Sequence, residues 1–235
     1  MLKSSLGLNG GFTAPHRLAT LAGRDILAKG GTAIEAMVAA AATIAVVYPH
    51  MNGIGGDGFW IIHQPGKSPV GISACGTAAA LATPEFYASK GYTKEIPARG
   101  GLAALTVPGT ISGWDTALSL VPRERRLPLS QLLADAIGHA KEGIAVTGNQ
   151  AVCTSEKLVG LRDVPGFAET YLIDGVPPQA GDRMVQKNLG ETLEHLSTHG
   201  LRSYYEGESA RTHAAYLEKN ESPLRASDFA GYRAQ

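Results

Sequence analysis

Tyr48-Pro49-His50-Met51-Asn52-Gly53-Ile54-Gly55-Gly56-Asp57-Gly58-Phe59 sets glycines at 53, 55, 56 and 58, and their context decides the fold. An apolar, Ala-rich stretch over 33–47 precedes the run, and a strand-like stretch over 59–63 follows it. Dinucleotide binding needs the order strand, Gly-rich turn, helix, so that the helix N-terminus faces the pyrophosphate. Here the helix comes first, which excludes that reading. A phosphate-binding loop is excluded too, because no Gly-Lys-Ser/Thr follows. The run reads as a turn between a buried helix and a strand. Its glycines serve either close backbone packing or a binding wall. Asp57 fits as a turn-former and His50 as a structural histidine fixing the loop rather than a general base. Gly55 and Gly56 are expected to need φ > 0 or close approach.

Working outward, the chain of 235 residues is read as a single domain, 1–235, long enough for a sizeable core. Hydrophobic residues make up 44%, an ordinary globular share. Lys+Arg and Asp+Glu are 21 each, and aromatics are 6%, so neither a nucleic-acid partner nor an anionic membrane surface is expected. Cys75 and Cys153 are too few for a disulfide framework and lack metal-ligand spacing, so no metal and no cofactor is expected. No run reaches transmembrane length. The N-terminus has Lys3 but no apolar core of a leader peptide. That implies a cytoplasmic protein, or a periplasmic or secreted one whose N-terminus has been trimmed.

Helices are expected over 17–29, closed by Gly30-Gly31, and from Thr32 with a Thr32–Glu35 capping box. A hairpin joins 59–63 to 70–74 through Pro65-Gly66, and Thr83 caps a short helix with Pro84 at its first position. Residues 90–102 read as loop, and 123–126 as a solvated charge run. Further helices are expected over 109–120, 129–141, 150–161, 189–198, 203–219 with Ser203 as cap, and from Ser227. The class is α+β.

Gly71-Ile72-Ser73-Ala74 nearly spells a nucleophile elbow, but position 75 is Cys and no helix follows. Ser112 has no assignable base. Thr198-His199 and Thr212-His213 sit in helical contexts. No catalytic residue is assigned within the chain.

Several strings resemble the large subunit of the gamma-glutamyltransferase family. They are Ala14-Pro15-His16, Gly30-Gly31-Thr32-Ala33, Pro49-His50-Met51, Gly53-Ile54-Gly55-Gly56 and Phe59. Val107-Pro108-Gly109-Thr110, Lys141-Glu142-Gly143 and Asp228-Phe229-Ala230-Gly231-Tyr232 continue the likeness along nearly the whole chain. The resemblance implies the large-subunit part of an αββα four-layer sandwich of the N-terminal-nucleophile hydrolases. It further implies a self-cleaving precursor whose small subunit begins with a nucleophilic Thr, activated by its own α-amine or a water. The expected partner is that small subunit, as a heterodimer or a dimer of heterodimers, and the expected ligand a small-molecule amide.

One departure bears on the substrate. The resemblance implies an Arg, in an Arg-Glu-Thr-Ala-Pro-like string, that holds the glutamyl α-carboxylate in a bidentate fork. Cys75-Gly76-Thr77 stands there instead. Cys75 reads either as a lining of the acyl pocket or as a small buried packing residue, and far less well as a reactive thiol. Arg99 could replace the lost cation only by another path. Three readings stay open: an amidohydrolase for a non-glutamyl acyl group such as oxamate, a gamma-glutamyltransferase or glutathione hydrolase proper, and a non-catalytic scaffold.

Overall fold

The computed structural model describes residues 6–235, so the reading around Lys3 lies outside the described residues. Arg17–Ala28 forms α1 and Ala33–Val47 forms α2, packed against each other. Gly30, at φ 85°, makes the left-handed turn between them. His16 caps α1 through Nδ1, which accepts from the Leu18 N–H at 3.2 Å. The expected box opens α2: Thr32 Oγ1 accepts from the Glu35 N–H at 3.3 Å, and Glu35 Oε2 from the Thr32 N–H at 2.7 Å. Glu35 is fully buried, and its Oε1 accepts from the Leu127 N–H at 2.6 Å. One carboxylate thus caps a helix and satisfies a distant loop donor. The small side chains Ala36, Ala39, Ala42 and Ala45 are buried, which lets α2 run through the core.

The hairpin pairs β1, Gly58–Ile62, with β2, Val70–Ala74, antiparallel, Phe59 opposite Ser73 and Ile61 opposite Gly71. Ile72 and Ala74 are buried and Trp60 half-buried on one face. Phe59 and Ile61 point away from them and are 71% and 88% exposed. On the far edge of β2, Ser73 and Gln235 exchange both backbone hydrogen bonds, at 2.6 and 2.9 Å. Ser73 is therefore committed to Gln235, and the opposing Phe59 turns its own N–H and C=O to the free edge of β1.

Pro84–Ser89 forms α3 and Thr110–Ser119 forms α4, which lies across both strands. Leu129–Leu132 (α5) and Ala134–Glu142 (α6) divide the single helix expected over 129–141 at the buried Leu133. Gly148–Leu161 (α7), Phe167–Tyr171 (α8), Lys187–His199 (α9), Gly207–Lys219 (α10) and Ala226–Gly231 (α11) complete the helices. Ser203 does not cap α10. It lies in a 3-10 turn, Leu201–Tyr204, between Gly200 and Gly207 with φ 86° and 76°, a turn that buries Leu201 and Tyr204. A second ribbon escaped the sequence reading. It joins β3, Ile144–Ala145, to β4, Arg183–Met184, strands too short to show alternation. Arg126 is not merely solvated, since its guanidinium donates to Val121 O at 2.7 Å and Ser119 O at 3.1 Å, closing the end of α4. Among the described residues no helix is long and apolar enough to cross a membrane.

Candidate functional site

The glycine run is held onto the start of α4. Gly56 O accepts from the Gly109 N–H at 2.8 Å and the Thr110 N–H at 2.9 Å. Thr110 Oγ1 lies 2.9 Å from Gly56 O and 3.0 Å from Asp57 O. The first N–H groups of a helix lack intrahelical partners, and the loop carbonyl supplies one. This fixes the backbone of Asp57 and sends its side chain across to the end of β2. There Asp57 Oδ1 accepts from the Gly76 N–H at 3.1 Å, and Oδ2 lies 3.6 Å from Cys75 Sγ. Asp57 therefore bonds the far strand rather than its own turn. Tyr232, just after α11, donates from Oη to Cys75 O at 3.1 Å.

Asp57, Cys75, Gly76 and Tyr232 make up a lip at the end of β2. Cys75 is exposed, contrary to the buried packing role weighed for it. The Asp57 charge, and then the hydrogen bond to it, push the Cys75 thiol above its ordinary value, so it stays protonated. A nucleophilic thiolate is thereby disfavoured. Burial, followed by Asp57 and Cys75, raises the Tyr232 phenol as well. Among the described residues no Lys, Arg or His forms an ion pair with Asp57.

Two glycines that the sequence reading did not assign to close approach are needed for it here. A Cβ on Gly76 would fall on the Val107 carbonyl, and one on Gly109 on the Ala74 carbonyl. Gly55 and Gly56, assigned that role, are exposed, have no positive φ, and would carry a Cβ into open space. Thr77 is exposed, and its carbonyl accepts from the Val107 N–H at 2.9 Å. His50 does not bond the glycines. Its Nε2 meets Asn149 Oδ1 of α7 at 2.7 Å, and its ring stands edge-on to Tyr48 at 4.3 Å.

Arg99 is elsewhere. It lines a cavity of about 640 Å³ with His50, Cys153, Lys157 and Tyr171, and Cys75 is not part of that lining. The hydroxyls of Thr198 and Thr212 donate to the carbonyls of Glu194 and Glu208 in their own helices, both at 3.0 Å. Ser112 is buried and accepts from the Ala234 N–H at 2.9 Å. The sequence reading missed Tyr232 as a member of the lip and Thr110 as the residue that holds Asp57 in place. Both lie in strings that carried the resemblance, but only the tertiary fold brings them to residues 57 and 75.

A family model described as gamma-glutamyltranspeptidase matches residues 19–235. The chain belongs to the gamma-glutamyltranspeptidase family. It is 49% identical over 238 residues to the oxamate amidohydrolase proenzyme of Klebsiella pneumoniae subsp. pneumoniae, covering 100% of this chain and 44% of that protein. It is 36% identical over 236 residues to the glutathione hydrolase-like YwrD proenzyme of Bacillus subtilis, again covering 100% and 44%. The chain thus spans about 44% of the length of these curated relatives. The crystal structure of Helicobacter pylori gamma-glutamyltranspeptidase matches with TM-score 0.90 and 29% identity, over 99% of this chain and 66% of that one. The fold is that of the large-subunit portion of an N-terminal-nucleophile hydrolase of this family, mixed helix and sheet.

Proposed function

We propose that this chain is the large-subunit portion of an autoprocessed amidohydrolase that cleaves small acid amides of the oxamate kind rather than gamma-glutamyl amides. The observation that carries the reading is Cys75. It directly follows β2, where a gamma-glutamyl enzyme of the family is expected to hold the α-carboxylate with a guanidinium. A thiol held neutral beside Asp57 offers no such fork. The 49% identity to an oxamate amidohydrolase proenzyme supports the same reading.

The nucleophile belongs to the rest of the proenzyme, as the N-terminal Thr of a small subunit released by self-cleavage. Its hydroxyl loses a proton to the Thr α-amine, directly or through a water, and attacks the amide carbonyl. Backbone donors stabilise the tetrahedral oxyanion. The leaving nitrogen takes the proton and departs as ammonia, leaving an acyl ester. Water then hydrolyses the ester, releasing the acid and regenerating the hydroxyl. The small subunit is the partner this mechanism requires, and no cofactor enters any step.

The test is catalytic efficiency of the mature two-chain protein on oxamate and on L-gamma-glutamyl-p-nitroanilide. Loss of a charge-assisted bidentate contact costs about 2–5 kcal/mol, or about 30- to several-thousand-fold in specificity. We expect oxamate to be preferred by at least the lower figure. A preference for the gamma-glutamyl amide would instead support a glutathione hydrolase, the activity named for a relative from Escherichia coli that is 30% identical. A full-length product of uncleaved mass with no amidase activity would support a scaffold role.

A further inference from the structure

We propose that Asp57 is a specificity-determining residue, one that makes the end of β2 electronegative and bars carboxylate-bearing acyl chains from it. This rests on the amidohydrolase reading above and adds a second element to it. Loss of a cation at position 75 would leave a neutral site. The described residues put the Asp57 carboxylate there.

The geometry carries the proposal. Asp57 is exposed, yet its carboxylate is held rather than free: Oδ1 takes the Gly76 N–H at 3.1 Å and Oδ2 faces the Cys75 thiol at 3.6 Å. Its backbone is fixed in turn, because Thr110 Oγ1 bonds Asp57 O at 3.0 Å. The thiol it faces stays protonated and adds no charge. Among the described residues no Lys, Arg or His forms an ion pair with this carboxylate. An acyl group with a distal carboxylate, such as gamma-glutamyl, would bring like charge to this lip, a pairing that costs about 1 kcal/mol at about 4 Å in water and more once the site is closed from solvent, and that the proposal takes to outweigh attraction of the neighbouring α-ammonium. Oxamate carries its carboxylate directly on the reacting carbonyl. The proposal requires that oxamate, being short, ends before reaching the lip. Asp57 therefore selects by length and charge together.

Asp57 also sets what any engineered cation at position 75 can do. An Arg introduced there would have Asp57 Oδ2 within reach and would pair with it. Its fork would be occupied before a substrate arrives. The effects of the two substitutions should consequently be non-additive.

The experiment uses the full-length proenzyme matured to two chains, as wild type, Asp57→Asn, Cys75→Arg and the double variant. Asn keeps an acceptor for the Gly76 N–H while removing the charge. Catalytic efficiency is measured on L-gamma-glutamyl-p-nitroanilide and on oxamate. We expect Asp57→Asn alone to raise efficiency on the gamma-glutamyl amide about ten-fold relative to oxamate. Cys75→Arg alone should gain little. The double variant should exceed the product of the two single gains. A Cys75→Arg variant equal to the double variant would overturn the proposal, as would an Asp57→Asn variant with the wild-type substrate ratio. If Cys75→Arg does not mature, inhibition of oxamate hydrolysis by L-glutamate decides: Asp57→Asn should lower the inhibition constant about ten-fold, and an unchanged constant refutes the role. A wild type that prefers the gamma-glutamyl amide sinks the parent reading, and because that amide then already occupies the lip, it sinks the Asp57 proposal too. A wild type that prefers oxamate with no Asp57 effect sinks only the latter.

Discussion

At Gly76 and Gly109 a single methyl group is too much. Each would drive a Cβ into a carbonyl of the neighbouring segment, Val107 or Ala74. Gly76→Ala and Gly109→Ala should each destabilise by about 1–3 kcal/mol or more and reduce the yield of mature protein. Gly55→Ala and Gly56→Ala, with open space and no positive φ, should mature normally; poor yield from either would mean that contacts outside this chain use those positions. The Cys75 thiol gives a pH-dependent readout. Its titration is raised by Asp57, so the thiolate fraction at pH 8 is below that of an ordinary exposed cysteine. Asp57→Asn removes the raising charge, so iodoacetamide should label Cys75 faster at pH 8 in that variant. Equal rates would mean that Asp57 does not govern the thiol. At this scale the sequence was legible in part. Cys75 stood out as a departure because it is local to one string. Its partner did not, because residues 57 and 75 meet only once the hairpin has closed and α4 has fixed the loop.

Helices were the most legible elements, because their caps and apolar spacing are local. Thr32 with Glu35 and Thr83 with Pro84 both mark boundaries that the fold uses. The start of α10 was misplaced because Ser203 looks like a cap, whereas burial of Leu201 and Tyr204 selects a tight turn there. Ribbon β3–β4 was invisible, because two-residue strands have no period. The junction of α2 with the loop before α5 makes a prediction of its own. Glu35→Ala would strip the Thr32 and Leu127 N–H groups of their acceptor and leave a void in the core. A loss of about 2–4 kcal/mol is expected, seen as a lower urea midpoint for the mature protein. Glu35→Gln keeps an acceptor for one donor and should lose less. Equal midpoints for wild type and Glu35→Ala would show that the buried carboxylate holds nothing together.

At the scale of the whole molecule, the described residues leave the β1 face and edge uncovered: Phe59 and Ile61 are 71% and 88% exposed, and Phe59 turns its backbone groups outward. Exposed apolar strand edges promote association. Residues 1–235 produced alone should therefore elute as aggregates in size-exclusion chromatography and show no amidase activity. A soluble monomer that hydrolyses an amide would contradict both the reading of the β1 face as an association surface and the partner-nucleophile reading. At this scale the family strings made the class legible, while composition and periodicity reached only α+β. Which surfaces stay open depends on contacts between distant segments, and no single window of sequence records them. The pairing of Ser73 with Gln235 closes the far edge of β2 with a residue made about 160 positions later. At roughly 5–20 residues per second of synthesis, the ribosome needs about ten to thirty seconds to get from one to the other. Throughout that interval the nascent hairpin has both edges bare, so translation speed across the helical segment sets how long a growing chain can be captured by its neighbours on the same messenger.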